Sequence, residues 1–184
     1  MIIVNIFKHI KLVMKHKYQV FKLCCKIGMP FRGFMHDWSK FSPTEFVESV
    51  KYYNGKRSPI TFAKQENGYS KAWLHHKGRN RHHYEYWYDS RAPEPTPIMP
   101  YKNVAEMICD KLAASQTYLG KDWKKDAPLN YWITKEVNDN IINENIKDML
   151  TEVFNQVAEK GIDEVITKNN LKQLYNKHCE LKGE

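Results

Sequence analysis

Apolar residues recur at helical spacing almost from the first residue, and that period predicts most of the chain's elements. Ile6, Ile10, Val13, Val20, Leu23 and Ile27, with lysines between them, predict an amphipathic helix over residues 2–28, stopped by Gly28 and Pro30. Ser42-Pro43-Thr44-Glu45 reads as a helix start, with Ser as cap, Pro in the first turn and Glu three residues after the cap as in a capping box; the helix then runs to about Tyr53 and closes at Asn54-Gly55. Residues 56–70 read as a loop with a short helical piece. The stretch 72–87, AWLHHKGRNRHHYEYW, reads as helical, with Gly78 and Asn80 able to bend it.

The four prolines within residues 89–100 predict a structureless connector that could rim a pocket. Val104, Met107, Ile108, Leu112 and Leu119 then mark a clear helix over 101–119, followed by a lysine-rich turn. Two further amphipathic helices are expected, from about Thr134 to Lys160, ended by Gly161, and from about Asp163 to Cys179. No strand period competes. The expectation is an all-α, single-domain helical bundle over 1–184, with a chemical core at about 10–120 and the helices of 130–180 as scaffold.

Composition adds little to the fold and more to the setting. The 184 residues suffice for one domain with its own core, and 42% hydrophobic with 13% aromatic content argues against disorder. Cys24, Cys25, Cys109 and Cys179 form neither a disulfide framework nor a zinc knuckle, which suits a reducing cytoplasm. Lysines interrupt every apolar run near the start, so no membrane-spanning segment and no membrane partner are expected. The net charge of +8 favours an anionic partner, whether a nucleotide, nucleic acid or a membrane surface, and of these a small phosphorylated molecule, or nucleic acid, is the one expected.

Candidate chemistry lies in the histidines. Four of the eight fall within residues 75–83, and in an unbroken helix His75 and His82, like His76 and His83, would return to nearly one face. His36 and Asp37 are adjacent, so both can bind one divalent ion, or the carboxylate can bridge to a second. Asp110 sits beside the apolar side of its helix, where a carboxylate needs a metal or a cation as partner. Glu45 is read as a capping residue. Trp38, Trp73 and Trp87 are read as core, with base stacking as the alternative.

The order His16, His36-Asp37, Asp110, with MICDKLAAS around the last, resembles the HD superfamily of metal-dependent phosphohydrolases. More narrowly, HDWSKFSPTEF, AWLHHKGRNRHHYEYW and EMICDK look like a family of small bacterial and phage proteins sharing these blocks. The superfamily resemblance implies a helical fold in which His16, His36, Asp37 and Asp110 hold a divalent ion (Mn, Fe, Co, Ni, Zn or Mg), with His76 and His83 holding a second or contacting phosphate. It implies hydrolysis of a nucleotide or another small phosphate ester. Lys40 and Arg79 would neutralise phosphate charge, and Asn80 and His82 would orient water or the leaving group. The alternative is a non-catalytic binder of nucleotide or nucleic acid, in which Arg79, Arg81, His82, Tyr84, Tyr86 and Trp87 track phosphates and stack on bases. A redox or oxygen-activating iron protein is a third reading, disfavoured because Glu-x-x-His motifs are missing.

Overall fold

The amphipathic opening of the chain forms a single long helix, α1 (Ile2–Lys26), which turns off at Gly28. Gly28 adopts a φ of 74°, where glycine carries no Cβ penalty, and Met29 N donates to Cys24 O at 2.8 Å to close the end. The structure, a computed structural model, describes residues 2–55 and 58–180. After α1 come α2 (Pro30–Met35) and a tight 3-10 turn over Trp38–Phe41. Next is α3 (Pro43–Lys51), whose cap is the expected one: Ser42 Oγ accepts from Glu45 N.

Four expected stretches come out differently. The loop expected at 56–70 is mostly helix, α4 (Pro59–Asn67), begun by a proline in its first turn and ended by Gly68 at φ 78°; residues 56–57 of that stretch lie outside the described residues. The histidine-rich stretch supports only a short helix, α5 (Lys71–Lys77), because Asn80 folds back and donates to His76 O at 2.9 Å. The long helix expected at 134–160 is two pieces. α7 (Ala127–Tyr131) runs on through a π-type turn to Glu136, and α8 (Glu144–Lys160) starts afresh at Asn143, whose side chain accepts from Asn145 N. Between them Asp139 accepts from Ile141 N, the kind of local side-chain bond that competes with a helix.

The last expected helix is likewise divided, into α9 (Ile162–Val165) and α10 (Lys168–Tyr175), because Thr167 caps a new start. The helix of residues 101–119 is as expected and becomes α6 (Tyr101–Leu119). α6 is the central element. One side packs against α1, where Cys109 meets Cys24 and Asp110 meets His16, and its buried apolar residues share one core with α8 (Met149, Leu150, Val153) and α10 (Leu171, Leu174). Among the described residues there is no strand, and no helix is long and apolar enough to cross a membrane.

Candidate metal centre

The site begins with a missing side chain. At Gly33 a Cβ would stand 2.6 Å from Cys24 Cβ and 2.9 Å from Phe21 Cα, so glycine is what lets α2 lie directly against α1. That approach carries His36, at the end of α2, to His16 on α1, with ring centroids 5.6 Å apart. Asp37 follows at φ 54° and ψ 33°, the only non-glycine residue with positive φ among those described. A left-handed conformation costs an ordinary L-residue roughly 1–2 kcal/mol, less for aspartate. Here it turns the carboxylate inward while the chain enters the Trp38–Phe41 turn.

From the opposite side α6 contributes Glu106 and Asp110, four residues apart and so on one face. α5 contributes His76, and the turn after it returns His82 and His83. The side chains form two sets that share Asp37. In the first, His16 Nε2 lies 3.0 Å from Asp110 Oδ1, while His36 Nε2 lies 3.5 Å from that oxygen and 3.2 Å from Asp37 Oδ2. In the second, the Nε2 atoms of His76 and His82 lie 3.4 and 3.5 Å from the other Asp37 oxygen, Oδ1, and His83 completes the group. Within each set one donor atom per residue falls within 4.8 Å of all the others.

The donors fit a divalent transition ion on two grounds. Neighbouring ligand atoms around an ion bonded at about 2.0–2.2 Å are separated by roughly 3.0–3.5 Å, the range seen here. In addition, His36 Nε2, Asp37 Oδ1, His82 Nε2 and His83 Nε2 are buried without a directed hydrogen bond, and such orphaned groups are costly unless something else satisfies them. The far nitrogens are held as metal-ligating imidazoles usually are. Glu106 Oε1 lies 3.0 Å from His36 Nδ1 and 3.3 Å from His82 Nδ1, and its other oxygen accepts from Arg32 Nε at 2.6 Å. Glu45 Oε2 lies 2.8 Å from His76 Nδ1.

The charge balance also favours a cation. Four largely buried carboxylates, Asp37, Glu45, Glu106 and Asp110, face the three cations Lys17, Lys40 and Arg32. Burial works against charging His36, but Asp37, Asp110 and Glu106 outweigh it and hold the imidazole well above its ordinary value. Burial likewise opposes the ionised forms of Asp37 and Asp110, yet His36 and Lys40 beside the former, and His16 and His36 beside the latter, hold both well below the usual carboxylate range. His83 is pushed well down by burial and by His82. Burial, with Lys40 nearby, also takes His9 down to about 4.

Of the residues singled out in the sequence, His16, His36, Asp37, His76, His83 and Asp110 are brought together. Lys40 is beside them, its Nζ 2.6 Å from Asp37 Oδ2. His82, expected as an orienting group, stands instead among the candidate ligands. The two imidazole rows do not form, because α5 ends before His82; His75 faces outward to Glu45 Oε1 at 2.7 Å. Asn80 serves the turn, donating to Ser39 Oγ at 2.8 Å. Arg79 is exposed and lines neither cavity at the site, since the turn after α5 points it to solvent. Trp38 is 48% exposed rather than core.

Two carboxylates that stand behind the imidazoles went unrecognised. Glu45 caps nothing with its side chain, which is drawn to His75 and His76. Glu106 was signalled only by its spacing of four from Asp110.

Two cavities open beside the cluster. A smaller one of about 190 Å³ is lined by His16, Lys40, His76, His83 and Asp110. A larger one of about 690 Å³ shares His83 and Asp110 and continues along α6 past Lys111 and Tyr118 to Tyr131, Trp132 and Lys135. The C-terminal half, expected as scaffold, therefore also walls the space beside the site. Arg81 and Trp87, expected as a nucleic-acid face, are engaged within the chain: Arg81 lies over Tyr86, and Trp87 Nε1 donates to Arg81 O at 2.8 Å.

Comparison with curated proteins and with solved structures gives no match to either. A family model covers every residue of the centre, matching residues 5–159, and the chain belongs to the family it describes, a family of unknown function (DUF5662).

Proposed function

We propose that the protein is a metal-dependent phosphohydrolase acting on a nucleotide or another small phosphate ester. The observation that carries this reading is the two-sided use of Asp37, whose oxygens each face a separate set of imidazoles. That arrangement suits one ion or a bridged pair. The order His16 on α1, His36-Asp37 in the turn after α2 and Asp110 on α6 supports an HD-like site. The free thiols of Cys24, Cys25, Cys109 and Cys179 are compatible with a reducing cytoplasm.

Divalent ions held by His16, His36, Asp37 and Asp110, and by His76, His82 and His83, would supply a Lewis acid for a phosphoryl oxygen and acidify water. The chain's own groups do the rest. Glu106 and Glu45 fix the imidazoles so that Nε2 faces the centre. Lys40, which lines the smaller cavity, would neutralise a phosphate oxygen, and the Asp37 and Asp110 carboxylates keep its ammonium charged despite burial. Lys111 and Lys135 add positive charge along the larger cavity, and Trp73, Tyr118 and Tyr131 offer faces for the organic part of the ester.

The test is elemental analysis of the purified protein, followed by phosphate release from a panel of nucleotides and p-nitrophenyl phosphate. The expected result is bound Mn, Fe, Co, Ni or Zn and hydrolysis abolished by a chelator. Protein that takes up none of these metals, or that is loaded yet releases no phosphate from any ester, overturns the reading.

A further inference from the structure

Charge is distributed along this chain very unevenly. Residues 1–36 contain seven of the basic residues and no acidic one, so that nearly all of the net +8 belongs to the first two helices. Some of that charge is used internally: Arg32 pairs with Glu106, Lys17 is buried against His36 O, and Lys26 pairs with Asp163. Lys8, Lys11 and Lys22 stand exposed on α1.

The same two helices carry large apolar side chains in water. On α1 these are Phe7, Met14 and Tyr18, at spacings of seven and four that place them on one side of the helix. On α2 and the turn after it they are Phe31, Phe34, Met35 and Trp38, with Phe31 77% exposed. The two groups adjoin, because Gly33 seats α2 against Phe21 and Cys24 of α1 and Lys17 Nζ lies 4.9 Å from the Trp38 ring. Isolated exposed apolar residues are ordinary; a shared face of aromatic and methionine side chains bordered by lysines marks an interaction surface.

We infer that the outer face of α1 and α2 adsorbs to an anionic phospholipid surface, with Phe31, Phe34 and Trp38 entering the headgroup region and Lys11 and Lys22 facing lipid phosphates. Aromatic residues on one side and lysines beside them are what an interfacial helix needs, and it requires no span. Apolar runs too short to cross a bilayer do not exclude this mode, which needs only one face of a helix. A second copy of the chain suits this face poorly: two such surfaces would bring together helices that carry basic residues and no acidic one. Single-stranded nucleic acid is held in basic grooves whose aromatic side chains stack on bases, whereas the basic cavity that Lys22 lines with Lys26, Lys125 and Lys160 includes none of Phe31, Phe34 and Trp38. The face lies directly behind the metal centre, since Met14 and Tyr18 flank His16, and Met35 and Trp38 flank His36 and Asp37. Adsorption would therefore bring the ligand-bearing helices to the bilayer.

The experiment is co-sedimentation of the full chain with vesicles of phosphatidylcholine alone and of equimolar phosphatidylcholine and phosphatidylglycerol. It is repeated for Phe31→Ser/Phe34→Ser and for Lys11→Glu/Lys22→Glu, whose folding is checked by circular dichroism. Binding is expected only to the mixed vesicles and should weaken with salt. The lysine pair should reduce it by at least roughly tenfold, as each lysine near an anionic surface is worth several-fold. The phenylalanine pair should reduce it by about tenfold or more, from the apolar area no longer inserted. Failure to bind mixed vesicles at low salt overturns the inference. So does a dimer in sedimentation velocity that the phenylalanine pair dissociates, or tight binding of a single-stranded oligonucleotide that the same pair abolishes.

Discussion

The two sides of α6 are built on opposite rules. Toward α8 and α10 it joins an apolar core in which Met149, Leu150, Val153 and Leu171 are fully buried. Toward α2 and α5 it buries Glu106 against His36 and His82, and it presents Asp110 to His16 and His36. In the first region burial itself stabilises, at about 25 cal/mol per Å² of apolar surface removed from water. In the second, burial opposes the charged groups and is offset only by mutual pairing, and one residue, Asp37, occupies a left-handed backbone conformation. A helix that is apolar on one side and ionic on the other lets the core hold the centre rigid without depending on its chemistry.

Substitutions on the two sides should therefore separate stability from metal binding. Asp110→Asn removes a charged donor shared by His16 and His36; phosphate release should fall by about a thousandfold or more, roughly 4 kcal/mol of barrier, with the metal content of the purified protein reduced. Leu150→Ala, on the apolar side, should cost about 2–5 kcal/mol in denaturant unfolding while metal stoichiometry stays unchanged. If metal content falls with Leu150→Ala as far as it does with Asp110→Asn, the two regions are not separable in this way.

Gly33→Ala tests the seam between them. The added methyl group meets Cys24 and the Phe21 backbone, so stability should drop by about 1–3 kcal/mol, and metal affinity should fall with it because His36 moves with α2. Glu106→Gln keeps size and removes the charge behind two imidazoles; metal affinity measured by competition with a chelator should weaken about 10–100-fold. Retained affinity in Glu106→Gln would mean that the imidazoles are oriented by packing alone.

Much of the architecture was legible because it is local. The cap at Ser42, the stop at Gly28 and the 101–119 helix follow from side chains acting on neighbouring backbone, and each is present in the structure. The breaks at 137–143 and at Thr167 were missed because the apolar period continues across them while asparagine, aspartate and threonine side chains take the backbone's hydrogen bonds. Glu45 illustrates the other kind of miss. Its sequence context is a capping box, and only the approach of α5 to α3 offers its carboxylate two histidines in place of a backbone amide.

By itself, then, the sequence determined an all-helical chain, the order in which histidines and carboxylates occur, and a basic, acid-free beginning. Those properties need nothing beyond residue type and spacing. Tertiary structure decided the rest: that Asp37 turns each oxygen to a different set of imidazoles, that His82 joins His76 and His83 while His75 does not, and that Glu106 stands behind two rings at once. The reason is physical. A centre of this kind is a set of directions and separations of a few ångströms among side chains up to 94 positions apart, from His16 to Asp110, and those are fixed by which helices touch, through contacts such as the one Gly33 allows.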